Sequence, residues 1–570
     1  MKNKLVARIL YEIADLLDLD GVPFKPRAYR RAAQTVESLT TPIEEVVAQG
    51  RVSELPGVGE AIGKKIAEIV ETGRLKYYED LKEKLPIDLA SLTAVEGVGP
   101  KTAKLLYERL GIRTLSDLEE AARAGRIREV KGLGEKTEER ILRGIGEAQR
   151  MEKRVRLGEA LPLARDLCAR LMKTGLFTRV EPAGSLRRGR ETVGDLDILA
   201  ISRSPNEAAE AFVDLPDVEE VFASGPKRSS VRLAGGMHVD LRIVPVGSFG
   251  AALQYFTGSK AHNIALRKRA LARGRKLNEY GLFDEKGRSI AGETEEGIYE
   301  SLGLSYIPPE LREDQGEIER AASGRLPSLI TPDQIKGDLH THTDWSDGKA
   351  TLAEIVAAAR RRGLSYIAIT DHARFSEVIG GVSPDDLARQ LDEIEETNDR
   401  LNGFKVLSGV EANILRDGSL DVPEALLKRL DIVIAAVHSH FRLSRKEMTR
   451  RLIRAVENEN VDILAHPTGR KIGERSGYDA DWDEVFRRAA RAKTAMEVNA
   501  NPIRLDLNAE SIRRALDCGV LLSIGTDAHA IEHLEFMEYG VITARRGWTE
   551  AKDVLNTYRA DELLERFKSG

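Results

Sequence analysis

Three aspartates, Asp195, Asp197 and Asp240, and a run of six histidines and three carboxylates from His340 to His529 are the side chains of this 570-residue sequence best suited to chemistry. Carboxylates alone favour hard cations such as magnesium, the usual companion of nucleoside triphosphates, whereas imidazole-rich sets favour zinc, manganese or iron. The first set suits the making of phosphodiester bonds, the second their cutting.

In VGDLDILAIS the two-residue period of a strand puts Asp195 and Asp197 on one face and Leu196 and Ile198 on the other; Asp240 sits likewise between Val239 and Leu241. Three converging carboxylates repel one another or take up protons unless a cation neutralises them, so bound metal is expected. Just upstream, GSLRRGRETVGDLD offers Gly184 for close backbone approach, Ser185 as hydroxyl and amide donor, and Arg187 and Arg188 to grip phosphate oxygens. With two ions, such a pocket supports in-line nucleotidyl transfer. Downstream, YFTGSKAHNIALR supplies Tyr255 and Phe256 to pack on sugar and base, and Asn263 and Arg267, four apart on a helix, to reach nucleotide or template.

Eight of the ten histidines follow Lys336, a concentration that surface scatter would not give. His340 and His342, two apart at a strand end, can ligate from one face, with Asp347 in the following turn. His372, Glu411, His438, His466, Asp527 and His529 come from successive strand ends, enough ligands for two or three ions.

The elements that must hold these groups are legible in outline. After Lys336, apolar runs such as YIAITDH, DIVIAAVH, VDILAHP and VLLSIGTDAH alternate with helical segments and end in polar groups. That rhythm predicts a parallel, closed barrel with its site at the carboxyl ends of the strands. From Leu157 to Pro308 short strands mix with helices, an α+β pattern, and the proline-bearing stretch to Lys336 reads as a linker that partly packs. Ahead of these lie three repeated turns between helices, LPGVG, VEGVG and VKGLG, with glycine pairs Gly57 and Gly59, Gly97 and Gly99, Gly132 and Gly134. A turn of this kind opens backbone amides at a helix start, where a DNA phosphate can bind without regard to sequence. The expected class is multidomain, α+β and α/β, divided at 1–85, 86–156, 157–260, 261–310, 311–336 and 337–570.

Charged residues at 31% and hydrophobic ones at 42%, with no apolar run able to span a bilayer, argue against membrane insertion. Cys168 and Cys518 are the only cysteines, so no disulfide framework is needed and a reducing cytoplasm is expected, with the chain a monomer. The net charge of -5 does not advertise nucleic-acid binding, and the basic tract Arg267, Lys268, Arg269, Arg273, Arg275 and Lys276 reads first as a solvated helix face.

The motifs GSLRR, GDLD, VDLR, YFTGS and LNEYGLF, in that order from Leu157 to about Ile307, resemble the family X DNA polymerases, the group that contains the animal repair polymerase beta. The resemblance implies gap filling in DNA repair of the base excision type, on gapped or primed double-stranded DNA with deoxynucleoside triphosphates. It implies a nucleotidyltransferase palm at 157–260 and a thumb at 261–310, with Asp195, Asp197 and Asp240 as catalytic ligands of magnesium or manganese. Ser185, Arg188 and Gly194 are implied near the triphosphate, and Tyr255, Phe256, Gly258, Asn263 and Arg267 around nucleotide and template. Lys260 stands where the animal enzymes carry an acid, and a lysine there could hold nucleotide more tightly.

The glycine turns resemble helix-hairpin-helix modules, lyase-like at 1–85 and fingers-like at 86–156. Lys65 aligns with the family's lyase lysine, which forms a Schiff base with an abasic sugar, and its neighbour Lys64 could depress its pKa. Ala61 replaces another lysine of the animal pocket, and a phosphate-binding Lys65 is the alternative. Finally HTH, TDH, HSH, AHP and TDAH resemble a PHP phosphoesterase, a distorted (β/α) barrel, with every expected ligand present. That implies a 3′-5′ exonuclease using two or three manganese or zinc ions, with an abasic endonuclease as a further activity. A barrel acting on a small phosphate ester, or serving only as a metal-bound scaffold, is the rival reading.

Overall fold

The computed structural model describes residues 2–19, 22, 25–38, 43–55, 57–84, 86–93, 95, 98–152, 154–373 and 381–568. Gly97, one of the expected phosphate-turn glycines, lies outside them.

The amino-terminal region is helical. Lys2–Leu19, Lys25–Ser38 and Glu60–Thr72 meet over Leu10, Ile13, Ala33, Ile66 and Ile69, apolar residues at helical spacing, and a second group of helices closes over Leu92, Leu106, Leu118 and Ile141. The three glycine turns share one backbone bond, from Val58 N to Leu55 O, Val98 N to Val95 O and Leu133 N to Val130 O, at 3.0, 3.0 and 2.9 Å. Each turn feeds a helix, at Glu60–Thr72, Pro100–Leu110 and Glu135–Glu152, with Gly59 and Gly99 as extended N-caps. The repeat in sequence is therefore a repeat in structure.

The palm is a five-stranded sheet of β1 (Phe177–Pro182), β2 (Asp195–Ser202), β3 (Val218–Ala223), β4 (Arg228–Leu233) and β5 (His238–Ile243), in the order β1-β2-β5-β4-β3. Only β2 and β5 run parallel. Leu196, Ile198, Val239 and Leu241 bury themselves against helix Leu157–Lys173, the face opposite the aspartates. The thumb adds helices Lys260–Leu271 and Glu295–Ser301 and a small antiparallel sheet over Leu266, Ile298 and Tyr299. The stretch read as a linker packs firmly: Leu311, Ile318 and Ala321 join the thumb core, and the fully buried Arg312 binds Glu295 at 2.5 Å.

The carboxyl-terminal half is a parallel sheet of β6 (Gly337–Asp338), β7 (Tyr366–Ile369), β8 (Lys405–Asn413), β9 (Ile432–Ala436), β10 (Ile463–Leu464), β11 (Ala495–Asn499) and β12 (Leu522–Gly525), in sequential order. Both faces are buried, which is why the strands read as unbroken apolar runs. β6 and β12 do not form a full ladder. A single parallel bridge between Thr341 and Ala528, with His342 N on Ala528 O and Asp527 N on His340 O at 2.9 Å each, nearly closes the barrel at its carboxyl rim.

Palm and barrel share one apolar core. Ile472, Leu505 and Tyr539 of the barrel are buried among Leu157, Leu167 and Leu186 of the palm. The contact is tight enough that a Cβ on Gly158 would come within 2.4 Å of the Pro502 ring. Arg156 reaches Ile472 O and Glu474 at 3.0 and 2.6 Å, and Arg470 reaches Glu191 at 2.8 Å.

Candidate metal centres in the palm and the barrel

In the palm, register does what the strand period alone could not. β2 and β5 pair with Asp197 opposite Asp240 and Asp195 opposite His238, so three carboxylates share one sheet face. Burial and then the neighbouring charges of Asp195 and Asp240 push the Asp197 carboxyl up to about 6. Acids gathered this way are relieved by a divalent cation, and an all-oxygen set fits a hard one. Ser230 Oγ donates to Asp240 Oδ1 at 2.5 Å, and Arg228 Nη2 lies 3.1 Å from Asp240 Oδ2.

Asp195 stands between two clefts. One, of about 1020 Å³, is lined by Ser185, Arg188, Asp197, Tyr255, Phe256, Gly258, Lys260, Asn263 and Arg267, so most of the residues expected around a nucleotide converge there. Gly194 instead lines the adjoining cleft of about 710 Å³ with Asp240, Arg228 and His238. Gly184 lines the first, at φ +62, and a Cβ there would fall 2.4 Å from Asp197 Oδ2, so the glycine makes room for a carboxylate before any phosphate.

Adjacent arginines part company. Arg187, expected to grip phosphate, turns away to bind Glu295 at 2.9 and 2.7 Å and Thr257 Oγ1 at 2.8 Å, tying palm to thumb. Arg188 faces the cleft. The Asn263 amide is spent inside the helix pair, accepting from Gln254 and donating to Tyr255 O, while Arg267 Nε donates to Asn263 O. In the basic tract Arg267, Lys268, Arg273 and Lys276 are exposed, as a solvated face predicts, while two members cap a helix: Arg269 donates to Leu302 O and Gly303 O, and Arg275 to Ser301 O, at the carboxyl end of Glu295–Ser301.

In the barrel, all nine expected ligands meet at the carboxyl rim. They form three overlapping groups, His342 with Asp347, His372 and His529, His340 with His342 and Asp527, and His372 with Glu411 and His438, each with donor atoms within 4.8 Å of one another. His466 joins through Glu411, at 2.9 Å. Separations such as 3.5 Å from His340 Nε2 to Glu411 and 3.3 Å from His342 Nε2 to Asp527 match the roughly 3.4 Å expected between donors around a tetrahedral ion with bonds near 2.1 Å. His340 Nε2, both ring nitrogens of His342 and Glu411 Oε2 are buried without a well-formed hydrogen bond, a costly state that metal ions would relieve. Burial, reinforced by His529 and His372, pulls His342 down to about 4, so it stays neutral and able to ligate.

Supporting partners that the sequence reading passed over hold the ligands. Glu497 Oε1 binds His340 Nδ1 at 2.6 Å, and its other oxygen accepts from His466 N. Asn413 Oδ1 meets His438 Nδ1 at 2.6 Å, and Asn499 donates to Asp527. Asp371 points away from the cluster and binds Thr343, Ser346 and Gln390, anchoring the turn that carries Asp347. An acid alone in the apolar strand AMEVN was the available signal for Glu497.

Near the amino terminus, Lys65 Nζ sits 4.8 Å from the Tyr77 ring centroid and 3.3 Å from Ala61 O. Lys64, the neighbour expected to depress it, is paired with Glu60 at 2.7 Å.

Fold and sites together define a metal-dependent nucleotidyltransferase joined to a metal-dependent phosphoesterase barrel. Family models agree: a helix-hairpin-helix domain matches residues 1–75, a helix-hairpin-helix tandem 89–147, the DNA polymerase beta thumb 252–313 and the PHP domain 338–501. The chain is 40% identical over 560 residues to the DNA polymerase/3′-5′ exonuclease PolX of Bacillus subtilis, covering 98% of this chain and 97% of that protein. It therefore belongs to the PolX family, the family X DNA polymerases that carry a PHP domain. DNA polymerase lambda of Rattus norvegicus is 26% identical over 55% of this chain and 56% of its own length. A probable phosphatase of Caldanaerobacter subterraneus is 34% identical over 34% of this chain and 75% of its own length. Among the described residues no helix is long and apolar enough to cross a membrane.

Proposed function

We propose that the palm adds deoxynucleotides to the 3′ ends of gapped or primed DNA in repair, and that the barrel removes nucleotides from such ends. The observation that carries the first half is the facing of Asp197 and Asp240 across β2 and β5 beside a cleft rich in arginine and lysine. In this reading Asp195, Asp197 and Asp240 hold magnesium or manganese. Ser185, Arg188 and Lys260 receive the triphosphate, and Tyr255 and Phe256 flank its sugar and base. The primer 3′ oxygen forms the new bond to the α-phosphorus as the bond to pyrophosphate breaks, and the hydroxyl proton leaves to solvent. Two bound ions supply activation of that hydroxyl and charge neutralisation on the leaving group.

In the barrel the nine ligands hold two or three manganese or zinc ions, and Glu497 and Asn413 fix the imidazole orientations that ligation needs. The glycine turns at Gly57, Gly59, Gly99, Gly132 and Gly134 contact DNA phosphates. Lys65, over the Tyr77 ring and next to a Lys64 already paired with Glu60, is better placed for phosphate contact than for Schiff-base chemistry. Borohydride trapping on an abasic duplex tests this: no covalent adduct is expected, and a trapped adduct lost in Lys65→Ala would reinstate the lyase.

The decisive assay gives the purified chain a gapped duplex labelled at the primer's 5′ end, with triphosphates and magnesium, then without triphosphates and with manganese. Extension in the first and stepwise shortening in the second are expected. The likeness to the probable phosphatase supports a second reading of the barrel, action on a small phosphate ester. Hydrolysis of p-nitrophenyl phosphate with no shortening of DNA would favour it.

A further inference from the structure

We propose that Arg546, a residue of the barrel, is a positioning residue for nucleotide addition in the palm: it fixes Glu313, and the two together aim the Arg188 guanidinium at the incoming triphosphate. This rests on the reading above that Arg188 receives the triphosphate. Arg546 ends helix Met537–Arg546, whose Ile542 presses on Gly189 so closely that a Cβ there would lie 2.3 Å from Ile542 Cγ2. Its Nη1 donates to the backbone carbonyl of Arg188, and its Nη2 lies 3.2 Å from Glu313 Oε1. The same Glu313 oxygen receives Arg188 Nε at 3.1 Å and stands 3.7 Å from Arg190 Nη1.

The arrangement has a direction. Arg188 lines the cleft with its Nε taken by Glu313 and its Nη1 by Thr257 O, so the planar fork is held at two points and Nη2 is the nitrogen left for the triphosphate in this proposal. Glu313 itself lines that cleft, and an unneutralised carboxylate there would repel a triphosphate. Arg546, with 10% of its side chain exposed, supplies the balancing charge from behind, leaving Arg188 free to bind anion. Without it Glu313 would draw more heavily on Arg188 and Arg190, and the Arg188 carbonyl would lose its donor. Nucleotide binding would weaken while the aspartates that serve the chemical step stayed in place.

The test is steady-state extension of a gapped primer by the full chain, with 3′ shortening and melting temperature measured on the same preparations. Arg546→Ala should raise the triphosphate KM about tenfold with kcat within about twofold, the pattern of a lost binding contact. Arg546→Lys, which keeps the charge beside Glu313 but not the two-pronged contact, should fall between. An unchanged KM in Arg546→Ala while Arg188→Ala raises it would overturn the proposal and leave the pocket reading intact. An unchanged KM in Arg188→Ala would instead remove the pocket reading itself. Parallel loss of extension, shortening and melting temperature, with no rescue by lysine, would reduce Arg546 to scaffolding and overturn the proposal too.

Discussion

On the proposed reading, the palm and barrel centres solve the same problem, holding divalent cations against phosphate, by opposite means. The palm uses one pair of neighbouring strands: β2 and β5 place three acids on a face open to two broad clefts, with Asp195 exposed. The barrel draws ligands from along most of its rim and buries five of the nine, His340, His342, Glu411, His466 and Asp527, leaving Asp347, His372, His438 and His529 partly exposed at the mouth. An open site suits ions that arrive with each nucleotide. A buried one with orphaned ring nitrogens suits ions that stay.

The sharpest way to break the contrast is to disable one centre and assay both. Asp197→Asn should cut nucleotide addition by about 10³-fold or more and spare 3′ shortening, and Glu411→Ala should do the reverse. Loss of both activities in either variant would mean that the centres are not independent. Glu497→Gln asks how far the barrel depends on partners beyond its ligands. A fall of about 10- to 100-fold in shortening and in metal affinity is expected, with extension retained, read by single-turnover assays and elemental analysis. No change would make the His340 to Glu497 bond incidental.

Brief chelation sharpens the comparison further. Metal should remain in the barrel after rapid desalting, with shortening persisting, whereas extension should depend wholly on added magnesium. Equal loss from both would contradict the difference in burial. The smallest expected effect concerns stability. Burial alone would raise the Glu295 carboxyl, but Arg312 and Arg187 hold it down to about 2, from an ordinary 4.5. A depressed pKa gives stability that is full above the ordinary value and lost as pH falls toward the folded one, so Glu295→Gln should flatten acid unfolding between about pH 4.5 and pH 2. An unaltered acid profile would show that the pair adds nothing.

What the sequence disclosed follows from the range of each signal. Strand period put Asp195 and Asp197 together, but Asp240 is more than forty residues on, and only the parallel register sets it against Asp197. The apolar runs ending in acids and histidines marked the barrel rim because each strand is buried on both faces. Arg187 and Arg188 could not be told apart, since their fates depend on Glu295 and Glu313, over a hundred residues away. Glu497 was hidden for the opposite reason: it reads as one stray acid in a strand, and its partner His340 lies 157 positions upstream.

The press of Pro502 on Gly158 carries an evolutionary consequence. Gly158 is the second residue of a helix and keeps ordinary helical geometry, so nothing but the ring from the other half of the molecule forbids a side chain there. A descendant that discarded its nuclease half would be free to install alanine or leucine at that position and gain helix stability. Any lineage still bearing glycine there is expected to have kept the partner that demands it, whether or not its histidines survive.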